Sequence, residues 1–347
     1  FHLFCVEVSY AQDSIVRMIN DGGKFDSWCV REIEESALIG GQTKYLYEFF
    51  GSPADTLKTG KQPFVAPEGY LWRTNNVLAV VAGIVKTNNT VYPEKRGDGY
   101  CARIETHIEN VKALGVVNMD VTCQGALLVG SLPEPIRDTK SPMSKVFYGL
   151  PFNGRPRALQ LDYKADVGNE TIRGTGFSKL KPMGYPDHAQ IIVILQKRWE
   201  DADGNVHALR VGTGIERITR DVPEWVNGHK VIVNYGDITA EPYYKEYMGL
   251  NNDPETAFHA LNSKGENVVV GFKSLEGKGV YFVCTSAEFH LLEVVYHIVA
   301  LTESISYTVK KERNVERRIR AEVYTVVFTA EAFLHKKSIK PVVGVGA

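Results

Sequence analysis

The sequence predicts an all-β protein built as a two-sheet antiparallel sandwich, and three observations support this fold class. The 347 residues include 31 glycines and 17 tyrosines against 5 methionines, which is typical of short strands and turns rather than of packed helices. Residues 157–164 alternate strictly between apolar and polar side chains, as a half-buried strand does. Hairpin signals then recur without intervening helical periodicity, which favours two packed antiparallel sheets.

The clearest hairpin signal spans residues 190–213. Residues 190–199 are apolar on both faces over their first half, which predicts a central strand. Residues 201–205 supply a tight reversal into a second strand at 207–213. Residues 225–235 contain an Asn-Gly pair in a similar context, so we expect another hairpin turn there.

Composition changes predict the domain boundaries. Residues 1–11 are mostly apolar and end in small residues at the positions that a signal peptidase reads, which indicates the remnant of a signal peptide and an exported protein. Residues 12–286 are expected to form the β domain. After Gly279 the next glycine is Gly344 and aspartate disappears, so residues 287–347 are predicted to be an atypical, divergent tail of helical or mixed structure.

The charge balance and the spacing of ligand residues exclude several functions. With 40 basic and 41 acidic residues, no global field favours nucleic acid or an anionic membrane as a partner. No run of 18 apolar residues occurs, so we expect no transmembrane segment. The cysteines and histidines lack the spacing of a metal site, and we expect neither a metal nor a cofactor.

Residues 94–106 carry the most distinctive charge pattern of the chain. A glycine-rich turn precedes a predicted strand in which Cys101, Arg103, Glu105 and His107 share one face, because alternate side chains of a strand point the same way. Such a face is either a solvated surface or the polar floor of a cleft. Arg103 and Glu105 are therefore candidate ligand-binding residues.

Glu105 is also the candidate catalytic residue of a glycoside hydrolase, which needs two carboxyl groups flanking the scissile bond. Glu109 would lie roughly 13 Å away along the same strand, too far for either hydrolytic mechanism. The second carboxylate must then come from another strand, and Glu94, Asp162 and Asp237 are the alternatives.

Aromatic side chains near amides and cations suit sugar rings, whose apolar faces pack on flat groups while the hydroxyls form hydrogen bonds. Trp72 with Asn75 is the best such group in the sequence. Trp199 beside Lys197 is a weaker one, because a tryptophan in a strand is more often part of the core.

Seven segments also occur in an order that resembles a known family. They are WCVREI at 28–33, IGGQTKYLY at 39–47, WRTNNV at 72–77, PEKRGDGYCARIET at 93–106, TGFSK at 175–179, QKRWED at 196–201 and VNGH at 226–229. Together these segments resemble the carbohydrate metabolism domain family, and the resemblance covers roughly residues 20–286.

The resemblance implies a jelly-roll sandwich similar to those of glycoside hydrolases and carbohydrate-binding modules, with a carbohydrate pocket on one sheet. It also implies secretion by Gram-negative bacteria that use glycans, an oligo- or polysaccharide ligand, and cell-surface glycan-utilisation proteins as partners. Family members close with a strand rich in glycine and aspartate, and this chain departs from that pattern after residue 286.

The sequence thus predicts an exported jelly-roll protein that binds glycans. The alternatives are a glycoside hydrolase that uses Glu105 with a second carboxylate, and a surface-assembly protein without a ligand. The predicted ligand-binding residues are Trp72, Asn75, Arg103, Glu105, Tyr163, Lys197 and Trp199.

Overall fold

The structure is a computed structural model, and it confirms the all-β class. It describes residues 14–16, 25–48, 56–58, 60, 62–66, 72–113, 117–138, 141–152, 155–173, 175–176, 180–251, 253, 256–272, 292–298 and 306–309. Within these ranges the regular structure consists of strands and three 3₁₀ helices, at Ala37–Ile39, Pro142–Lys145 and Glu246–Met248.

The described strands are short in the first half of the chain and longer in the second. In chain order they are β1 (Ser14–Val16), β2 (Cys29–Glu34), β3 (Thr43–Glu48), β4 (Thr56–Lys58), β5 (Trp72–Thr74), β6 (Val77–Val81), β7 (Ile84–Asn88), β8 (Val91–Arg96), β9 (Gly99–Ile104), β10 (His107–Ala113), β11 (Val117–Cys123), β12 (Leu127–Ser131), β13 (Phe147–Tyr148), β14 (Leu150–Phe152), β15 (Pro156–Ala165), β16 (Ile172–Arg173), β17 (Thr175–Gly176), β18 (Lys181–Pro182), β19 (Ala189–Glu200), β20 (Val206–Ile218), β21 (Val222–Ile232), β22 (Asn234–Tyr235), β23 (His259–Leu261), β24 (Asn267–Val269), β25 (Gly271–Phe272), β26 (Leu292–Ile298) and β27 (Ser306–Val309).

The largest sheet has 11 strands, and its main path runs β22-β20-β19-β26-β12-β13-β23-β24. The hairpin predicted for residues 190–213 is confirmed as β19 and β20, which pair from Ala189 with Ile218 to Glu200 with Val206. β19 lies between β20 and β26, and its first eight side chains are buried on both faces apart from half-buried Ile192. This is the central position that its apolar run predicts.

A second sheet has the order β1-β27-β15-β21, and it shares one hydrophobic core with the largest sheet. Leu159 and Leu161 of β15 belong to the same buried cluster as Ile191 and Val193 of β19. The strict alternation predicted for β15 holds at these leucines, since both are fully buried while Gln160 between them is half-buried.

The prediction of two purely antiparallel sheets differs from what the described strands show. They are hydrogen-bonded into seven separate sheets. The pairs β2–β4, β13–β23 and β20–β25 are parallel. Each of these pairs includes a strand of only two or three residues, so few ladder hydrogen bonds are involved.

The prediction of a hairpin turn at the Asn-Gly pair of residues 225–235 is wrong. β21 runs through Asn227 and Gly228 without reversing, and it pairs with β15 on both sides of them. The pairing slips between Leu161 and Tyr163, which leaves an extra residue on β21, and Gly228 has φ +68° there. The positive φ that favours glycine is therefore used in a β-bulge instead of a turn.

Two strands come from the predicted tail. β26 pairs with β19, β12 and β14 inside the largest sheet, and β27 pairs with β1 and β15. These two segments are strands and not helices. The boundary near residue 287 stays a prediction, and residues 1–11 lie outside the described residues.

Candidate functional site

The stretch 94–106, predicted to be a turn followed by one strand, folds as a hairpin of β8 and β9 and then bends. Gly97 has φ +56° in the reversal, and β9 ends at Ile104. Tyr92 pairs directly with Arg103, and Glu94 pairs with Cys101, so these four residues share one face. Cys101 is fully buried on that face, whereas the side chains of Glu94 and Arg103 are partly exposed.

Arg103 is the centre of a polar group that we call the Arg103 cluster: Tyr92, Glu94, Arg103, Glu105 and Lys164. Its Nε lies 3.7 Å from Glu94 Oε2, and its Nη1 lies 3.7 Å from Glu105 Oε2. The guanidinium carbon lies 4.7 Å from the centroid of the Tyr92 ring, a cation–π contact. The side chains of Arg103 and Glu105 are each 39% exposed, so solvent reaches both charges.

Three tyrosines extend this cluster into an aromatic surface, which we call the tyrosine face: Tyr45, Tyr47 and Tyr92. The rings of Tyr47 and Tyr92 lie 5.7 Å apart between centroids. Tyr45 and Tyr47 are two residues apart on β3, so they point the same way, and Tyr45 is 48% exposed. Aromatic rings and fixed charges therefore adjoin on one surface.

The phenols of Tyr47 and Tyr92 stay protonated at neutral pH, because the pKa of each is raised. Burial raises the pKa of Tyr92 far above its usual value, and the neighbouring Glu105 raises it further. Burial also raises the pKa of Tyr47, against the opposing effect of Arg103. These groups therefore act as neutral hydrogen-bonding groups with apolar rings.

Asn76 fixes the strands that carry the tyrosine face. Its Nδ2 donates to Tyr47 O at 2.8 Å and to Val91 O at 2.7 Å. Its Oδ1 accepts from Thr90 N at 2.8 Å and from Val91 N at 2.9 Å. The amide is 2% exposed and uses its full hydrogen-bonding capacity, so it holds β3 against the start of β8.

Beneath this surface lies a fully buried ion cluster, which we call the Arg31 cluster: Arg31, Glu48 and Glu134. Arg31 Nη1 donates to Glu48 Oε1 at 3.0 Å, and Nη2 donates to Glu134 Oε2 at 2.7 Å. Backbone N–H groups of Phe64 and Leu78 also donate to Glu134, at 2.9 and 2.8 Å. Burial raises the pKa of Glu48 to about 8, although Arg31 acts to lower it.

Ion pairs link the hairpin to β15. Lys164 Nζ lies 3.3 Å from Glu94 Oε1, and Arg96 Nη1 lies 3.2 Å from Asp162 Oδ2. The Arg96 guanidinium also stacks on Trp225, 3.5 Å from the ring centroid. Trp225 is therefore covered on one face by an arginine.

The structure places two of the predicted ligand contacts in supporting positions. Trp72 is 4% exposed and packs edge-on against Phe25 at 5.8 Å, so its ring belongs to the core and offers no face to a sugar. Asn75 Oδ1 accepts from Ala126 N at 2.9 Å, and its Nδ2 donates to Gln124 O. The Asn75 amide therefore joins loops and does not face a ligand.

Tyr163 is adjacent to the Arg103 cluster in sequence but turns away from it. Its ring meets His229 edge-on at 5.3 Å, and His229 Nε2 lies 2.6 Å from Glu216 Oε2. Its sequence neighbour Lys164 instead reaches Glu94, because successive residues of a strand point to opposite faces.

Lys197 and Trp199 lie near the end of β19. Both are exposed, and the Trp199 ring contacts its cross-strand partner His207 at 5.5 Å. In the described part of the chain no contact links these two side chains to Arg103 or Glu105. Of the seven predicted residues, the structure thus brings only Arg103 and Glu105 together.

The predicted ligand contacts include one tyrosine, Tyr163, and none of the three tyrosines of the tyrosine face. Tyr45 and Tyr47 occur at a spacing of two in residues 39–47, which is the signal of one strand face. The pairing of Tyr92 with Arg103 depends on the hairpin register, which residue spacing along one strand does not reveal.

The described residues contain no group of three or more histidine, cysteine, aspartate or glutamate side chains arranged to hold a metal ion. None of the helices in those ranges has the length and apolarity needed to cross a membrane. No family model, no curated protein and no solved structure matches this chain.

Proposed function

We propose that the protein binds glycans through the tyrosine face and the Arg103 cluster. One observation carries the proposal: a half-exposed arginine is held between two carboxylates and over Tyr92, beside the exposed ring of Tyr45. The order of sequence segments that resembles the carbohydrate metabolism domain family supports the same function. The same resemblance supports two further parts of this proposal: export of the protein and a jelly-roll arrangement of its sheets.

The ion pairs of Arg103 leave room for hydroxyl groups. At 3.7 Å, neither pair is within hydrogen-bonding distance, so these contacts do not saturate the guanidinium N–H groups or the carboxylate oxygens. A sugar hydroxyl both donates and accepts, so it can bridge a guanidinium and a carboxylate. Charge-assisted hydrogen bonds of this kind are stronger than neutral ones.

The tyrosine rings supply the apolar half of the contact. The C–H face of a sugar ring packs on a flat aromatic side chain, and binding sites combine such surfaces with a few placed polar groups. Tyr45 is the most exposed of the three rings, and Tyr92 is held in place by Arg103 on one side and Tyr47 on the other.

A glycan array followed by calorimetry on any hit tests this function. Tyr45→Ala and Arg103→Ala are each expected to weaken binding by at least about tenfold, which is about 1.4 kcal/mol. Tyr243→Ala is the matched control, because Tyr243 is 44% exposed and lies outside the tyrosine face. Unchanged affinity in both site variants would remove this surface from consideration, and no binding to any glycan would reject the function.

Glycoside hydrolysis is a second candidate, and one distance favours it. Glu94 and Glu105 both lie within 4 Å of the same guanidinium. The two carboxylates are therefore at most about 10 Å apart, a limit that includes both the roughly 5 to 5.5 Å of retaining and the roughly 6.5 to 9.5 Å of inverting enzymes.

Release of reducing ends from a bound polysaccharide distinguishes the two candidates. A hydrolase would lose turnover in both Glu94→Gln and Glu105→Gln while keeping the ligand bound. A binding protein would release no reducing ends above the level of a catalyst-free control.

A further inference from the structure

We infer that the glycan bound at the Arg103 cluster is uncharged, and that this surface rejects uronic acids. The inference rests on the proposed glycan-binding function and adds the chemical class of the ligand to it. The pairing of Arg103 and Lys164 with Glu94 and Glu105 supports it.

The described charges of the cluster balance one another. Arg103 lies beside both Glu94 and Glu105, and Lys164 lies 3.3 Å from Glu94. Two cations therefore face two carboxylates. Each of the two cations in the described cluster already has an anionic neighbour.

A uronic acid would have to compete with the protein's own carboxylates. Its carboxylate could approach Arg103 only by displacing Glu94 or Glu105, or by lying beside them with like charge. Both outcomes leave a repulsive or unpaired charge, which is how a binding surface discriminates against a wrong ligand. Neutral hydroxyls carry no such penalty, and they can bond to the guanidinium and the carboxylates together.

The tyrosine face also favours an uncharged ligand. The raised pKa values of Tyr47 and Tyr92 keep both phenols neutral, so they add no charge that would favour or repel an ion. Their rings and that of Tyr45 offer packing that depends on the C–H faces of a sugar and not on its charge.

The test compares neutral and acidic polymers with the full 347-residue chain. Hydroxyethyl cellulose, galactomannan and arabinoxylan are the neutral probes, and polygalacturonate and alginate are the uronic acid probes, in affinity electrophoresis and calorimetry. We expect at least one neutral polymer to bind at least about tenfold more tightly than either polyuronate. We also expect the affinity for that polymer to be insensitive to salt, since no net charge is neutralised.

The double variant Glu94→Gln/Glu105→Gln tests whether these two carboxylates cause the rejection of uronic acids. It removes both negative charges and keeps the side-chain shapes, so affinity for polygalacturonate or alginate should rise at least about tenfold. An unchanged circular dichroism spectrum shows that the variant is folded. If it does not fold, the salt dependence and the polymer preference of the wild type decide alone.

Each result has one meaning. Tighter binding of a polyuronate by the wild type, or a folded double variant without a gain for polyuronates, overturns the inference and leaves glycan binding in place. Binding of the neutral polymer that weakens steeply with salt also overturns it. No binding of any neutral or acidic polymer rejects the proposed function itself, and the inference with it.

Discussion

The Arg31 cluster and the Arg103 cluster each contain one arginine between two glutamates, in opposite environments. The side chains of the Arg31 cluster are at most 5% exposed, and its ion pairs measure 2.7 and 3.0 Å. In the Arg103 cluster, the side chains of Arg103, Glu94 and Glu105 are 33–39% exposed, and the two ion pairs of Arg103 measure 3.7 Å. The shorter distances are those of hydrogen-bonded ion pairs, whereas contacts at 3.7 Å are only electrostatic.

The comparison shows that burial, and not residue type, decides what such a cluster does. A buried charge is costly unless it is paired and hydrogen-bonded, and Glu134 of the Arg31 cluster accepts backbone N–H groups from Phe64 and from Leu78 of β6. A half-exposed charge is solvated by water, so its partners can stay apart and its donors stay available to a ligand. The first arrangement stabilises the fold, and the second leaves hydrogen-bonding groups accessible from solvent.

Removing the buried arginine is expected to have the largest effect. Arg31→Met leaves the Glu134 carboxylate buried without its cation and removes the hydrogen bond to Glu48, which should lower the free energy of unfolding by about 3–5 kcal/mol. Urea unfolding at neutral pH measures the change. A loss below about 1 kcal/mol would mean that the two arginine clusters do not differ in structural role.

Asn76 connects the two clusters, because it bonds the carbonyl of Tyr47, which precedes Glu48 of the Arg31 cluster, and both polar groups of the Val91 backbone, which precedes Tyr92. Asn76→Ala removes these buried hydrogen bonds and should cost about 1–3 kcal/mol of stability. We also expect weaker glycan binding, since β3 and β8 would no longer hold Tyr47 and Tyr92 together.

Asn110→Ala is the control for Asn76, because the Asn110 amide is exposed and bonds Asp120 Oδ1 at 2.7 Å. It should change stability by no more than about 0.5 kcal/mol and leave binding intact. Equal effects of the two alanine variants would argue against a special role for Asn76.

The pH dependence of stability separates the clusters through Glu48. Its pKa is about 8 in the folded protein, against about 4.3 in an unfolded chain. The stabilising contribution of a raised carboxyl pKa is complete below the unfolded value and is lost as pH rises through the folded value. Ionisation of Glu48 between pH 7 and pH 9 should therefore lower the free energy of unfolding by about 1 kcal/mol.

Glu48→Gln should abolish this loss, since glutamine does not ionise. Urea unfolding of the wild type and the variant at both pH values gives the difference, in which groups common to both proteins cancel. Glu105→Gln is the matched change in the Arg103 cluster, and it leaves Glu48 in place. Parallel slopes for all three proteins would show that Glu48 does not titrate in this range.

Sequence reasoning found the local features and missed those that depend on distant pairing. The β19–β20 hairpin, the buried alternation of β15 and the charged pair Arg103 and Glu105 all follow from spacing within a short segment. The Arg31 cluster joins residues that are 17 and 103 positions apart, and no local pattern shows that they meet. Trp72 failed as a ligand contact because residue type alone does not distinguish a core indole from an exposed one.

The smallest expected effect completes the comparison between the arginine clusters. Arg103→Met removes a half-exposed guanidinium whose ion pairs lie beyond hydrogen-bonding distance, so the free energy of unfolding should change by no more than about 1 kcal/mol. The methionine keeps an apolar chain over the Tyr92 ring, and glycan binding should nevertheless fall because the donors are gone. Urea unfolding and calorimetry on the same preparation measure both quantities. If stability fell as far as in Arg31→Met, the Arg103 cluster would be a structural device, and its exposure would carry no functional meaning.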